Sequence, residues 1–435
     1  MRAIDPVKLS SDIVPADQPH FFYGWVIVGC SFTVLSAAYG IQFSYGVFMP
    51  EISAEMGWGR TSLSLAYSVY VFVYSALGIV AGVYTDRWGP RLVVGVGGVL
   101  LGSGVMLLSQ LQALWQLYLF LGGIAALGMS AVFVPCNATV VRWFIRRRGL
   151  ALSMSTSGSS FGNCFIPPLA ALLITTYGWR TAYLLLGLGG LVIITLCARF
   201  IVRDPERLGL RPDGIQPVLL SAEALSGSHV SPDRRDAWTL ASARRTGAFW
   251  MLVAALTMTW LVVFMPLVHI VPFAIDLGVS QVTAATLISV IGLAGFSGRL
   301  ITGPLSDRYG RLLTLGTCLT LEAVAFFGLA VSSGLSLLYP SAALFGLSYG
   351  GTTALFPAIV GDFYGRLAVG AIVGFIFSLA GSMAAFGPMA AGYIYDVYGS
   401  YNLAFLMSAS FNLFSVMLLC FVKQPAAFPP GRLAG

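Results

Sequence analysis

The chain is 435 residues long, 57% hydrophobic and only 9% charged, against roughly 25% charged in a soluble globular protein. With a mean hydropathy of +0.85 and 29 Phe, 18 Tyr and 9 Trp, that deficit excludes both a water-facing globular surface and a disordered chain. The formal charge of +7 is almost wholly arginine, Lys8 and Lys423 being the lysines, which fits bases sorted to one side of a membrane rather than a nucleic-acid binder.

Residues 1–21 carry Arg2, Asp5, Lys8, Asp12 and Asp17 without an apolar run, so no cleavable signal is expected and the first apolar segment doubles as the insertion signal. Apolar runs long enough for a ~30 Å hydrocarbon core then recur. They fall at 22–49, 61–84, 92–110, 114–140, 150–175, 181–202, 247–273, 280–304, 312–332, 336–360, 367–394 and 401–422. An all-α membrane protein with twelve spans is predicted: a six-helix bundle within 1–202, a linker at 203–246 with a short surface helix around 238–245, and a second bundle within 247–435. The linker holds too few apolar residues to bury a core of its own. Arginine sets the orientation. With both termini inside, 20 basic residues fall in inner segments against Arg60 and Arg180 outside, so the termini and the linker are predicted to be cytoplasmic.

The six cysteines lie in apolar stretches without CxxC spacing, and the three histidines sit in separate regions. No disulfide framework, metal site, cofactor or enzyme active site is expected from them.

The chain repeats itself at an offset near 221. Gly82, Asp86, Arg87, Gly89 and Arg91 return as Gly303, Asp307, Arg308, Gly310 and Arg311, Glu55 and Gly57 as Asp276 and Gly278, and Tyr177-Gly178 as Tyr398-Gly399. A direct repeat of six spans predicts two bundles related by a pseudo-two-fold axis along the membrane normal, enclosing a midplane site and rocking to expose it to alternate sides. In the G-x-x-x-D-R-x-G-x-R loops, glycine permits a tight turn. The acid can take hydrogen bonds from a helix N-terminus or pair with arginine in the facing bundle, latching one conformation. Simple interfacial charge is the alternative, and two copies at the repeat offset argue against it.

On these residues the chain resembles the major facilitator superfamily over nearly its whole length, the loop pair being that superfamily's signature. Other stretches resemble its monocarboxylate-transporter branch, which also holds bacterial oxalate–formate exchangers. These are Phe22-Tyr23-Gly24-Trp25, Gly40 to Gly46 around Gln42, Arg142-Trp143-Phe144 with Arg148 to Ala151, His269 to Pro272, and Phe356-Pro357 with Asp362. The resemblance implies a secondary transporter of a small organic anion, most simply a monocarboxylate, working by proton symport or exchange. It implies a monomer in an inner (cytoplasmic) membrane, with the lipid bilayer, the anion and protons as partners.

Three ionisable groups remain at depth, where a charge costs at least ~2.5–3.5 kcal/mol and needs a partner or a cavity. Arg299 in span 8 lies eight residues before Asp307, about 12 Å in at 1.5 Å per residue. Its repeat mate is Gly78, so it does not belong to the shared scaffold. A guanidinium there offers a planar fork to a carboxylate, and the alternative is a structural ion pair. The resemblance agrees, since the carboxylate branch uses an arginine at this place to bind its substrate. Glu322 in span 9 reads as a neutral carboxyl bonded to a neighbouring helix, or else as a partner of Arg299 or a proton carrier. His269 near the outer end of span 7 reads as a helix-end histidine bonded to backbone, with proton coupling as the sharper alternative.

Three departures stand out. Animal carriers of the branch have an Asp one turn before the span-8 arginine, where Gly295 stands, and a span-1 lysine where Phe43 aligns. The oxalate exchanger has a second cation in span 11, and 368–392 is uncharged here, so one cation suits a single carboxylate. The superfamily places spans 1, 4, 7 and 10 around the path, adding Gln42, Phe43, Tyr45, Phe133, Asn137, Trp260, Phe264, Tyr349, Thr352 and Thr353 as lining candidates. Each could equally be packing, but amides at depth need partners, which favours Gln42 and Asn137. An efflux carrier, supported only by a loose Gly158-x-x-x-Gly162 match, and a non-transporting sensor of the same fold are the competing functions.

Overall fold

In the computed structural model, residues 22–144, 148–211, 213 and 238–425 are described. Among them, twelve helices are long and apolar enough to cross a membrane. In chain order the spans are 1, Gly24–Met56; 2, Arg60–Gly78; 3, Pro90–Gln110; 4, Leu114–Trp143; 5, Leu150–Tyr177; and 6, Trp179–Phe200. The second half holds span 7, Gly247–Asp276; 8, Gln281–Tyr309; 9, Arg311–Ala330; 10, Leu335–Tyr364; 11, Ile372–Tyr398; and 12, Asn402–Cys420.

The helices differ from the hydropathy reading mainly at their ends. Span 1 runs past residue 49 because a break at Ser44 is followed by a second helix, Tyr45–Met56, and Ser44 Oγ donates back to the Gly40 carbonyl at 2.7 Å. Span 2 continues as helix to Trp88. Helical backbone is continuous from Leu335 to Met383, through the expected loop between spans 10 and 11. Of the linker, 214–237 lie outside the described residues. The surface helix is a single turn, Leu240–Ala243, capped by Thr239 Oγ1 accepting from the Ser242 amide.

The signature loops turn on glycine. Gly89 and Gly310 have φ of 91° and 92°, a region that side chains with a Cβ avoid. The branch-specific aromatics form a plug at the same arginine-rich end. Trp143 is fully buried and donates Nε1–H to the Val202 carbonyl at 2.8 Å, with Phe22 and Tyr23 against its ring and Trp25 against Phe144. These residues tie spans 1, 4 and 6 together and hold shape rather than substrate.

Span 8 packs on span 10 at backbone distance. A Cβ on Gly298 would collide with the Leu347 carbonyl, and one on Gly350 with the Gly295 carbonyl. In a bilayer, where helices gain no hydrophobic drive against lipid, such small-residue contacts carry the association. Gly350→Val is therefore expected to lower stability by about 1–3 kcal/mol through overpacking, read as a fall in detergent-solubilised melting temperature. Gly316→Ala, whose Cβ would meet nothing within 4 Å, should leave it unchanged; equal effects would contradict the packing assignment.

Candidate functional site

Span 8 is wedged between span 10 and span 5 of the other bundle. On the span-5 side a Cβ at Gly292 would stand 2.8 Å from the Ser160 carbonyl, and Ser289 donates to the Cys164 carbonyl at 2.6 Å. This close seam carries Arg299. Its Nη1 donates to the Thr156 carbonyl at 3.3 Å and to Ser159 Oγ at 3.4 Å. Both partners are neutral and both bonds are long. Among the described residues no carboxylate pairs with Arg299.

Beside the guanidinium is a nearly closed cavity of about 20 Å³, lined by Tyr39, Phe43, Ser159, Ser160, Asn163, Ile291, Gly292, Gly295, Arg299 and Tyr349. That volume holds about one water molecule, which needs roughly 10–15 Å³, and no carboxylate. The bundles must part before an organic anion can reach Arg299. At Gly295, where the resemblance puts an acid in animal carriers, a Cβ would stand 3.3 Å from the Gly346 carbonyl. Close approach of spans 8 and 10 takes the place of that acid.

Of the lining candidates, the structure brings Phe43 and Tyr349 to Arg299. Gln42 is buried behind them, Nε2 donating to the Tyr67 hydroxyl at 3.2 Å while Oε1 has no protein partner. Asn137 Oδ1 is likewise buried without one. Phe133 stacks across the seam on Phe377, 5.9 Å between centroids and 5° between planes. Thr353 donates to the Gly350 carbonyl of its own helix at 2.9 Å. None of these four reaches the cavity wall. Ser159, Ser160 and Asn163 were not foreseen, although a polar run beside Gly158 and Gly162 on an apolar helix could have flagged them. The two glycines themselves serve span 1, set against the Phe32 and Ser36 carbonyls.

Glu322 does not meet Arg299. It is 1% exposed and accepts from Thr259 Oγ1 of span 7 at 3.5 Å. A protonated carboxyl and an amide are interchangeable in such a contact. Glu322→Gln is thus expected to keep uptake within about twofold at every pH, since neutral hydrogen bonds differ little in net strength; loss of pH dependence in that variant would instead make Glu322 a proton carrier.

At the arginine-rich end, the second loop copy bonds within its own bundle. Asp307 lies 3.8 Å from Arg311, and Arg311 Nε lies 2.5 Å from Asp362, while Arg308 covers the Tyr309 ring. In the first copy, Arg87 and Arg91 are exposed, and a Cβ at Gly82 would stand 3.3 Å from Val134; Gly303 has open space around it. The Asp86 side chain lies outside the described residues. The cross-bundle latch expected of these loops is not formed by the described residues in this conformation.

A cross-bundle ion pair lies at the arginine-poor end instead, on residues that the site prediction left out. Arg60, 15% exposed, holds Asp276 with both terminal nitrogens at 2.7 Å. Its guanidinium also covers the Tyr395 ring at 3.8 Å. Span 2 has no cap of its own: Gly59 stands at its N-cap, and Asp396 of span 11 caps it in trans. That carboxylate accepts from the Arg60 amide at 3.1 Å and the Thr61 amide at 2.8 Å.

His269, fully buried, joins this network rather than backbone alone. Nε2 lies 3.0 Å from the Pro388 carbonyl and 3.3 Å from Ser64 Oγ, and Nδ1 lies 3.0 Å from the Tyr401 hydroxyl. A carbonyl only accepts, so Nε2 carries the proton and Nδ1 accepts from Tyr401. Tyr401 in turn accepts from Arg60 Nη1 at 2.8 Å, and burial pushes its hydroxyl pKa up, so it stays a donor.

The repeat explains the asymmetry. Glu55, the mate of Asp276, pairs with Arg180 inside its own bundle at 2.8 Å. The mate of Arg180 is Tyr401, so Asp276 lacks that local arginine and takes Arg60 from the other bundle. Two acids in equivalent places thus serve different ends, one scaffold and one closure.

Residues 30–313 and 298–433 match the Major Facilitator Superfamily. Monocarboxylate transporter 11 of Mus musculus is 30% identical over 430 residues, covering 95% of this chain and 90% of the relative. Monocarboxylate transporter 12 of Rattus norvegicus is 27% identical over 426 residues, covering 94% and 87%. Among solved structures, a bacterial homologue of the human lysosomal transporter Spinster, inward-facing and occupied, aligns with a TM-score of 0.70 at 13% identity, covering 92% of this chain and 97% of that one.

Proposed function

The chain belongs to the Major Facilitator Superfamily, in its monocarboxylate-transporter branch, and on that premise we propose that this membrane transporter carries a small organic monoanion, a monocarboxylate, bound through Arg299. The observation that carries the reading is a mid-depth guanidinium on the bundle seam with only neutral, long contacts. A carboxylate entering from either side would exchange those bonds for a bidentate, charge-assisted pair, roughly twice as strong per bond. Neutralising the Arg299 charge lets the bundles close over the bound anion. Phe43 and Tyr349 would then contact the substrate body.

Segments 1–202 and 247–435 move as the two bundles, joined by 203–246, in a cytoplasmic membrane with both termini inside, and one chain suffices. The arginine-poor end is then the outer one, and its cross-bundle bonds are formed here. Protons enter through His269, whose ring bridges span 7 to Ser64 across the seam. The curated relatives named as monocarboxylate transporters support the substrate class.

Purified protein screened by thermal shift against small carboxylates at two pH values tests this. At a ligand concentration of 100 times Kd the stabilisation is about 2.7 kcal/mol, a shift of several degrees that should vanish in Arg299→Ala. A shift that survives in Arg299→Ala would move the anion site elsewhere.

A further inference from the structure

A second cavity lies away from Arg299. It is a groove of about 710 Å³ at the arginine-rich end, between the start of span 3 and the end of span 6. Arg91, Arg199, Arg203 and Arg207 line it, and no acidic residue does. Among the described residues no carboxylate pairs with Arg91, Arg199 or Arg207, while Arg203 leans on its neighbour Asp204 at 3.3 Å. The helix of span 3 begins here at Pro90 without a side-chain cap, so its free amides add partial positive charge.

Below the arginines the groove is apolar. Leu92, Val96 and Val99 line it, each about half exposed, and Val99 lies about 12 Å along the helix from Arg91 at 1.5 Å per residue. Trp88, 58% exposed, stands at the rim, the usual depth of an interfacial aromatic. A cationic head above an apolar trough is complementary to an amphiphile with an anionic head.

Positive-inside sorting alone does not account for it. At the repeat offset of 221, Arg199 corresponds to Cys420 and Arg203 to Gln424, and the nearby Arg311 is already paired with Asp362. Among the described residues these arginines have no counterpart groove in the other bundle.

We propose that this groove is a binding site for an anionic glycerophospholipid, its phosphate held by Arg91, Arg199 and Arg207 and its acyl chains lying along spans 3 and 6. Neither the transport reading nor Arg299 enters into it. Protein exchanged into nanodiscs of phosphatidylethanolamine with and without phosphatidylglycerol, then released into native mass spectrometry, counts the retained lipid. The triple variant Arg91→Gln, Arg199→Gln, Arg207→Gln is expected to retain phosphatidylglycerol at least about tenfold more weakly, since each base near an anionic headgroup adds to its attraction.

The control removes three exposed charges elsewhere, Arg244→Gln, Arg245→Gln, Lys423→Gln, and should retain it fully. A thermal shift with dioctanoyl phosphatidylglycerol, and none with inorganic phosphate at equal concentration, is expected of the unaltered protein. Equal losses in the two triple variants, or an equal shift from phosphate alone, would overturn the lipid site. If the groove variant fails to fold, the lysine version at the same three positions keeps the charge and must retain the lipid.

Discussion

Arg299→Lys is expected to abolish carboxylate uptake while leaving membrane insertion and yield unchanged. The substitution keeps a positive charge at the same depth, so the insertion cost of a mid-membrane base is unaltered. It removes the planar fork and with it one of two parallel bonds to a carboxylate. A hydrogen bond to a charged group contributes about 1.5–3 kcal/mol, which corresponds to roughly tenfold to more than hundredfold weaker binding. Uptake of a radiolabelled carboxylate into proteoliposomes, beside a size-exclusion profile, separates the two readouts. Near-normal uptake by the lysine variant would leave Arg299 as a structural cation.

Arg299 was legible in the sequence because two independent signals fall on it, depth in an apolar helix and a glycine at its repeat position. The spans were legible for a simpler reason, since a hydrocarbon slab demands apolar runs of fixed length. Where a helix outlasts the slab, as at Tyr45–Met56 and through 361–371, hydropathy has nothing to report and the ends were missed. The cavity wall was half legible. Phe43 and Tyr349 lie on it, but Gln42 and Phe133, on helices expected to line the path, turn into tyrosine and phenylalanine packing. Which face of such a helix meets the seam depends on side-chain volumes across two bundles, and a sequence of nearly uniform hydrophobicity carries no periodicity to show it.

The closure network was hidden for another reason. Its partners lie 216 and 336 residues apart, and each member alone is an unremarked charge in a short loop. The signal that could have exposed it was the repeat. Arg60 and Arg180 are the two bases in the loops of the arginine-poor end, Glu55 and Asp276 are mates, and the mate of Arg180 is an uncharged Tyr401. Asp276 was therefore an acid missing its scaffold partner.

Breaking that network should open the arginine-poor end. The combined variant Asp276→Asn, Asp396→Ala removes the bidentate pair and the trans cap of span 2. A helix cap contributes about 1 kcal/mol and the charge-assisted pair about 2 kcal/mol. Together they shift the closed-to-open ratio by roughly a hundredfold. Ser64→Cys supplies a reporter on the seam, buried against His269 in the closed state. Labelling of this thiol by a membrane-impermeant reagent, above the background of the six free native cysteines, should rise steeply in the combined variant. Glu55→Gln, which breaks the repeat-related pair inside one bundle, should lower stability slightly and leave labelling alone. The same labelling in both variants would reduce the cross-bundle pair to ordinary surface charge.

Acid should act in the same direction as the substitutions. A second proton on His269 makes Nδ1 a donor toward Tyr401, whose oxygen already accepts from Arg60. One phenol oxygen would then face two cations, with Asp276 and Asp396 already committed to Arg60 and Thr61. The open state, in which water solvates the imidazolium, has no such conflict, so protons stabilise it. Labelling is expected to rise as pH falls in the otherwise unaltered chain and to lose that slope in His269→Gln, because glutamine can still donate to Pro388 but takes no proton. A slope that persists in His269→Gln would place the proton on another group and separate closure from proton coupling.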